Sequence, residues 1–440
     1  MSAFIRSGSA NTFDAAVRNI SIRQSNLAGL QENLTSGKKV VRPSDDPTGA
    51  ASAERALSRI NRIANDQRAL ESQRNAISVA ESTLGDITDS LQRFRELVVN
   101  AGSGVLSPAE RSSIAVELKG LRDQIFTSAN TKDTNGMPLF GALGSASAPF
   151  VGPQATPTDY TFNGLPGQVA SSDVNIPSAL DGDSAFMNQP ARDLVFNTTV
   201  TNTVDNLISS GRSLITDNVV LSGIPDSATN SAIVTTTAAA ASALGVPYPQ
   251  YKINFTAIDT TTVPGTTTAT YSVTETPPAS GTIADVTVSY PSDKPTDIKV
   301  TAVPGLAFTL SGTPKVNDTV TINSSPSIFS VLDNAINDLR NAPNNNSATQ
   351  AVSQALHNLD IGMNRVSAVR GQAGDLLNRA DRISGNQDKR SIQLESDRSR
   401  AEDIDMVKGI SDFQNQQTGF SAALQSYAQI QKLSLFNFIG

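Results

Sequence analysis

Several residue types are absent or rare in this chain of 440 residues, and each absence excludes a kind of chemistry. The sequence contains no cysteine, no tryptophan and a single histidine, His357. Without cysteine the chain can form no disulfide, no thiolate nucleophile and no cysteine-ligated metal site. Metal sites and general acid–base catalysis also depend on histidine, and a lone His357 within a helical pattern is more typical of an ordinary helix residue than of a catalyst.

Long apolar runs and clustered positive charge are missing as well. The chain has no run of about 18 apolar residues that could span a membrane, and its first segment lacks the apolar stretch of a secretory signal peptide. It carries 34 basic and 41 acidic residues, a formal charge of −7, whereas nucleic-acid binding requires clustered Lys and Arg. We therefore expect no nucleic acid and no membrane among its partners. The protein would either stay in the cytoplasm or leave by a route that reads no cleavable signal.

No motif points to a catalytic, cofactor or metal site. There is no glycine-rich phosphate loop carrying lysine and serine. Ser44, Asp45 and Asp46 could be imagined around a cation, but two acids before Pro47 are more typical of a turn and a helix cap. We predict that the protein is not an enzyme and that it holds no cofactor and no metal.

The N-terminal part of the chain predicts three helices. Gly37 can end the first helix, predicted over residues 10–36, because glycine adopts positive φ at no steric cost. The second begins at Pro47 and runs to about residue 100, and the third begins at the capping box of Ser107 and Glu110 and ends near residue 130. Apolar residues at intervals of seven form the stripe of the first helix: Phe13, Ile20, Leu27 and Leu34.

The C-terminal part predicts helices again. One begins near Ile328, and a longer one runs from Ala348 to beyond Asp397 after a linker over residues 341–347. The charged segment 398–405 is either a break or continuous helix. Intervals of four and three then predict a final helix with an apolar stripe: Met406, Ile410, Phe413, Phe420, Leu424 and Tyr427. Such a stripe must pack against another helix.

The middle of the chain has a different character. It holds 18 of the 22 prolines, between Pro138 and Pro326, and 14 acidic residues against 6 basic ones. Alternation with period two predicts half-buried antiparallel strands over residues 252–256, 270–274, 285–290, 299–303, 307–310 and 319–322. The alanine run Ala238–Ala241 fits a short helix or a loop equally well.

These patterns predict a mixed α and β fold, a long antiparallel helical bundle or coiled coil built from both termini with a central, mainly-β insertion domain. We predict an N-terminal assembly helix over residues 1–36, and a loop, long helix and third helix over 37–145. A β-rich, surface-exposed domain (146–325), returning rod helices (326–400) and a C-terminal assembly helix (401–440) follow. Helices with apolar stripes at both ends predict a subunit that polymerises through its ends, although a bundle protein with an attached β domain fits the pattern equally well.

Four segments carry a resemblance to a known family. They are Leu34–Pro47, with its Arg-Pro-Ser-Asp-Asp-Pro sequence, then Asp133–Gly141, Gly312–Thr319 and Gln431–Phe436. The chain resembles the flagellin superfamily over about residues 1–145 and 326–440. The first and last segments are closer to the hook-associated protein 3 family, the hook–filament junction proteins, than to filament flagellin.

The resemblance implies an extracellular structural protein of the bacterial flagellum, exported without a cleavable signal peptide through the flagellar type III apparatus. It implies self-assembly into a ring, with another hook-associated protein on the hook side and flagellin on the filament side. An export chaperone for the C-terminal helix and terminal helices that order on assembly are implied too. Filament flagellin is one alternative, and an adhesin or glycan-binding module displayed through the threonine-rich strands is another.

The loop between the first two predicted helices concentrates charge. Within ten residues, Lys38, Lys39 and Arg42 face Asp45 and Asp46. We hypothesise that these five residues make salt-sensitive contacts to neighbouring subunits. The alternative is a solvated turn whose acids cap the second helix.

Overall fold

The structure is a computed structural model that describes residues 9–154, 159–201, 214–245, 248–276, 281–293, 296–342 and 344–439. It divides into two compact units, one of residues Met1–Ala69 and Arg382–Gly440 and the other of residues Leu70–Asp381. Its helices are α1 (Ser9–Ser36), α2 (Pro47–Ala101), α3 (Pro108–Ala129), α4 (Gly182–Phe186), α5 (Pro190–Asp193), α6 (Ser227–Ala243), α7 (Ile328–Asn341), α8 (Asn345–Glu402) and α9 (Met406–Ile439).

The strands lie between α3 and α7. They are β1 (Phe150–Val151), β2 (Thr161–Phe162), β3 (Phe196–Thr201), β4 (Ile215–Thr216), β5 (Val220–Leu221), β6 (Gln250–Asp259), β7 (Thr266–Thr276), β8 (Gly281–Pro291), β9 (Thr296–Val300), β10 (Leu306–Gly312) and β11 (Thr319–Ser324). The predicted mixed fold, with helical ends and a central β region, is therefore confirmed.

In the first unit, α1 and α9 pack side by side and run antiparallel. Gly409 lies against Leu34, since a Cβ built on this glycine would come within 3.0 Å of Leu34 Cδ2. Further along, Gly419 lies against Arg23, where the same construction gives 2.8 Å to Nη1. Small residues on α9 therefore bring it close to α1. Gly37 ends α1 as predicted, with φ of 72°.

The second unit buries the heptad stripe of α2. Leu70, Ile77, Leu84, Leu91 and Val98 are all buried. Opposite them, α8 contributes buried residues at positions 359, 366, 373 and 380. The antiparallel direction follows from ion pairs such as Arg74–Asp381 and Arg95–Asp360.

The sequence did not locate the two ends of α8 correctly, and the structure shows where they lie. The predicted linker 341–347 is too long, because α8 already begins at Asn345; the Asn344 side chain accepts a hydrogen bond from the Ser347 N–H at 2.9 Å. At the other end the charged segment does break, with α8 ending at Glu402 and α9 beginning at Met406. Asp405 caps α9, because its Oδ1 accepts the Val407 N–H at 3.0 Å.

The larger sheet has the antiparallel strand order β3-β11-β6-β7-β8, and β10 pairs with β4, β5 and β9. Five of the six predicted strand segments lie within β6, β7, β8, β10 and β11. The sixth, 299–303, was too late by three residues, because β9 ends at Val300 and a turn closed by the Leu306 N–H and the Val303 carbonyl follows. The prediction missed β1 to β5, and the undecided alanine run lies in α6. The central region thus includes helices besides strands. Its core is fully enclosed and includes Tyr251, Phe255, Tyr271 and Phe308.

Candidate assembly surface

The loop between α1 and α2 packs against the break between α8 and α9. The Lys39 N–H donates to the Glu402 carbonyl at 2.8 Å, and the Ile404 N–H donates to the Gly37 carbonyl at 3.0 Å. Val40 is buried. Two breaks that are far apart in sequence are therefore held together by backbone hydrogen bonds, as in a short antiparallel bridge.

The basic side chains of the loop have partners within the chain. Lys38 forms an ion pair with Glu402. The Lys39 Nζ donates to the Arg400 carbonyl at 2.8 Å, and Arg42 pairs with Glu32 at 2.8 Å. Their partners therefore lie on α1 and at the end of α8, and the hypothesis that the loop charges contact neighbouring subunits stays a prediction.

Asp45 and Asp46 serve the local backbone instead. The Asp45 Oδ2 accepts the Arg42 N–H at 2.8 Å. The Asp46 Oδ1 accepts the Gly49 N–H at 2.9 Å and the Thr48 N–H at 3.1 Å, which caps α2. The Gly49 N–H is the main reason that the pKa of Asp46 lies below its usual value. The acids therefore cap and tighten the turn, as the alternative interpretation of the loop states.

The apolar stripes are only partly covered by the α1–α9 pair. Ile20, Leu27 and Leu34 on α1, and Phe413, Phe420 and Tyr427 on α9, are half-buried. Met406, Ile410 and Leu424 remain 46%, 46% and 43% exposed. The side chain of Phe13 lies outside the described residues. Each helix therefore has a partner within the chain, and part of each stripe still faces outward.

Sequence reasoning missed two exposed apolar residues outside these stripes. Val407 is 82% exposed in the first turn of α9, and Ile22 is exposed on α1. Neither fits the intervals of four and three, so periodicity gave no signal for them. We name the exposed apolar residues of α9, Met406, Val407, Ile410 and Leu424, the open face. An apolar face of this kind marks an interaction site more often than a free surface.

The described residues contain no group of three or more His, Asp or Glu side chains placed to hold a metal ion. In the part of the chain that the structure covers, no helix is long and apolar enough to cross a membrane. His357 lies half-buried within α8. The loop between α1 and α2 and the open face are therefore the candidate interaction surfaces of the described residues.

Known proteins match the helical ends. The sequence-family model of the bacterial flagellin N-terminal helical region matches residues 10–144. The family model of the flagellin C-terminal helical region matches residues 356–439. The flagellar hook-associated protein 3 of Salmonella typhimurium is 36% identical over 140 residues, 31% of this chain and 44% of that protein. Flagellin of Escherichia coli K12 is 35% identical over 130 residues, 29% of this chain and 26% of that protein.

Solved structures share the fold. The crystal structure of FlgL from Xanthomonas campestris matches with a TM-score of 0.54 at 21% identity, covering 78% of this chain and 98% of that chain. The crystal structure of the flagellar junction protein FlgL from Legionella pneumophila matches with a TM-score of 0.52 at 24% identity, covering 74% of this chain and 98% of that chain.

The chain spans less than half the length of the curated relatives named above. Its resemblance to the flagellin superfamily, and within it to hook-associated protein 3, is confirmed by these matches.

Proposed function

We propose that this chain is a structural subunit of the bacterial flagellum that forms the junction between hook and filament, and that it catalyses no reaction. One observation carries the proposal: the regions that match flagellin meet in the α1–α9 pair, which leaves the open face uncovered. A junction subunit needs such a face, because it must bind copies of itself and different proteins on two sides. The similarity to hook-associated protein 3 supports the junction over other positions.

The predicted roles of the parts belong to the same proposal. The stripe residues of α1 and α9 are the assembly contacts, and the loop with Lys38, Lys39, Arg42, Asp45 and Asp46 lies beside them. The subunit assembles into a ring, with another hook-associated protein on the hook side and flagellin on the filament side. It is exported to the extracellular flagellum, with an export chaperone on the C-terminal helix. The subdivision at residues 36, 145, 325 and 400 stays a prediction.

Deletion of the gene tests the junction role. We expect hooks to assemble while flagellin is lost into the medium, because nothing joins the filament to the hook. Complementation with the parent gene should return the filament. Hooks that still carry full filaments after the deletion would contradict the proposal.

Filament flagellin is the second candidate, favoured by the 35% identity to the Escherichia coli protein. Copy number separates the two, because a filament subunit dominates sheared flagella on a protein gel and a junction subunit is a trace component. Quantitative mass spectrometry of sheared flagella gives the ratio. The displayed adhesin stays a prediction, to be checked on a glycan array with whole flagella.

A further inference from the structure

The five-stranded sheet ends in two outer strands, β3 and β8. An outer strand leaves the N–H and C=O groups of every second residue without a neighbouring strand, and such a row of groups can pair with a strand of another chain. Natural proteins therefore cover or interrupt the edges of their sheets. The two edges of this sheet differ in this respect.

One hydrogen bond shows which backbone groups of β3 face outward. The Ser325 N–H donates to the Val195 carbonyl at 3.0 Å, at the end of the β3–β11 ladder. Bonds of this kind recur at every second residue of an antiparallel pair. The backbone groups of Phe196 and Thr198 therefore point away from β11.

Helix α8 covers these outward groups with amide side chains. The Asn358 Nδ2 donates to the Phe196 carbonyl at 2.8 Å, and the Gln350 Nε2 donates to the Thr198 carbonyl at 3.3 Å. The outward direction derived from the ladder thus agrees with the observed bonds, and the edge at β3 is occupied within the chain.

Strand β8 has the same geometry without such a cover. The Ser292 N–H donates to the Gly265 carbonyl at 3.0 Å, so the backbone groups of Asp285, Thr287 and Ser289 point away from β7. Within the described residues, β8 pairs with β7 alone, and these outward groups have no hydrogen-bond partner there. The side chains of all three residues are exposed as well.

Few of the features that protect a sheet edge are found in β8. Natural edge strands are short, or they carry lysine, proline or a bulge. This strand has 11 residues with no Lys or Arg, and its one proline, Pro291, is the last of them. The single bulge in its pairing with β7 lies before Ala284, so the stretch from Ala284 to Tyr290 is regular. A long, regular edge of this kind is a template for another strand.

The regular stretch of β8 is complementary to itself. Its central residue is Thr287. Two copies laid antiparallel about this residue place Thr287 opposite Thr287 and Asp285 opposite Ser289. The one charged residue of the strand therefore meets a hydroxyl group, and charges of the same sign, which would destabilise the pair, do not face each other.

The inner face of β8 would also gain cover from this pairing. Val286 and Val288 are half-buried, whereas their partners on β7, Tyr271 and Ala269, have at most 1% of their surface exposed. In the two-fold arrangement, Val286 of each copy lies opposite Val288 of the other. Both valines would then lie inside a continuous sheet instead of at its margin.

We propose that β8 pairs with β8 of a second copy, antiparallel about Thr287, so that the five strands of each copy form one sheet. Both chains use the same surface, and the contact therefore closes at two copies. It goes beyond the proposed function, because neighbours in a ring are related by rotation about the ring axis and not by a two-fold axis. The pairing joins free chains, and its failure would leave the junction role untouched.

Opposite charges at the two-fold position test the pairing. Full-length chains with Thr287→Lys or Thr287→Glu should each dimerise at least tenfold more weakly than the parent in sedimentation equilibrium, because like charges then face each other. An equimolar mixture of the two should dimerise to within threefold of the parent. Thr256→Lys and Thr256→Glu, at an exposed residue of β6, are the controls and should leave dimerisation unchanged.

A parent chain that stays monomeric at high concentration would overturn the proposal, and so would Thr287 variants that dimerise like the parent. A mixture no stronger than either variant alone would exclude the two-fold pairing about Thr287.

The absence of cysteine allows the contact to be located by cross-linking. A full-length chain with Thr287→Cys, treated with a short bismaleimide, should give a covalent dimer at least tenfold stronger than that of the control Lys252→Cys. Lys252 is exposed on β6, two strands away from the proposed axis. Equal dimer yields from the two chains would count against the pairing.

Proline provides a check on the direction of the backbone groups. Thr287→Pro removes an N–H that faces away from β7, whereas Val288→Pro removes one that donates to β7. The first variant should keep the parental unfolding midpoint to within a few degrees and lose dimerisation at least tenfold, while the second should unfold at a clearly lower temperature. Equal midpoints for the two variants would overturn the assigned direction and with it the proposal.

Discussion

The central β region and the α1–α9 pair bury apolar side chains to very different degrees. In the β region, Tyr251, Ile253, Phe255 and Tyr271 have at most 1% of their surface exposed. On the α1–α9 pair, the stripe residues whose side chains the structure describes are half-buried or exposed, and Leu424 keeps 43% of its surface exposed. The same chain therefore contains a closed core and a face that one helix covers only in part.

The difference shows which part of the chain covers its apolar side chains without help from another molecule. A core residue of the β region is surrounded by side chains from several strands, and together they exclude water from it. Two paired helices contact each other along one side only, so the part of each stripe that faces away from the partner helix stays exposed. Full burial of a large apolar side chain stabilises by about 1.5–3 kcal/mol, and half-burial by correspondingly less. Substitutions should therefore affect folding in the β region and assembly in the α1–α9 pair.

Truncation in the closed core should have the largest effect on folding. Phe255 is fully buried and its ring centroid lies 5.7 Å from that of Tyr271. Phe255→Ala should lower the free energy of unfolding by about 3–5 kcal/mol, because it leaves a cavity. Chemical denaturation of the full chain measures this, with the exposed Val263→Ala as control at about 0.5 kcal/mol or less. A loss below 1 kcal/mol would mean that the core is not closed.

A buried amide row between α8 and β3 should rank next. The Gln354 Nε2 donates to the Asn197 Oδ1 and to the Phe196 carbonyl at 3.3 Å, and its Oε1 accepts from the Thr198 Oγ1 at 2.8 Å. Gln354→Ala removes these bonds and leaves buried groups unpaired, which should cost about 1–3 kcal/mol. Ser353→Ala, exposed on the same helix, is the control. Equal unfolding midpoints for the two variants would show that the row contributes nothing to stability.

The pH dependence of the same row gives a smaller effect. Burial raises the pKa of Asp338 to about 6, although Asn197 donates a hydrogen bond to it. The folded state thus holds this proton more tightly than the unfolded state. The contribution is fully present below about pH 4 and is lost as pH rises to about 6. Asp338→Asn should therefore stabilise the chain by about 1–2 kcal/mol above pH 6 and have little effect below pH 4.

Unfolding curves of the Asp338 variant and the parent at several pH values measure the difference. Asp375→Asn, an exposed carboxylate on α8, serves as the control and should leave the pH profile unchanged. A parental profile for the Asp338 variant would show that this carboxyl is hydrated in the folded chain.

The loop should contribute little to folding. Lys38→Gln, Lys39→Gln and Arg42→Gln combined remove partly exposed contacts worth about 0–1 kcal/mol each. If the loop also contacts neighbouring subunits, the variant should show weaker junctions, measured as filament loss under shear at low salt and compared with the parent at high salt. Normal swimming and parental resistance to shear would show that the loop makes no contact with neighbouring subunits and serves only as a turn.

A small effect on folding should accompany a complete loss of assembly. Leu424→Asp places a carboxylate on the open face, where Leu424 is 43% exposed, so the lost half-burial should cost about 1 kcal/mol. In the assembled state the same carboxylate would be buried without a partner at a cost of several kcal/mol. Gln425→Asp, on the exposed neighbouring residue, is the matched control. Incorporation of the Leu424 variant at the parental level would show that no subunit covers this face.

The sequence alone determined most helix and strand positions, because their signals are local. Gly37, Pro47 and the box of Ser107 and Glu110 act on the backbone within one turn, and the predicted ends differ from the observed ones by about one residue. Alternation likewise located β6 to β11. The strands β4 and β5 have two residues each, too few for a period to appear, and their pairing with β10 decides them.

Only the tertiary structure decided which distant segments meet. Lys38 pairs with Glu402, which lies 364 residues further along the chain, and no local pattern favours this acid over Asp45. The amide row of Gln354 depends in the same way on where β3 comes to lie. Periodicity in the sequence shows which side chains form a stripe that needs a partner. The packing of whole helices and strands decides which partner covers it. The stripes were therefore predicted, but the fraction of each stripe residue that stays exposed was not.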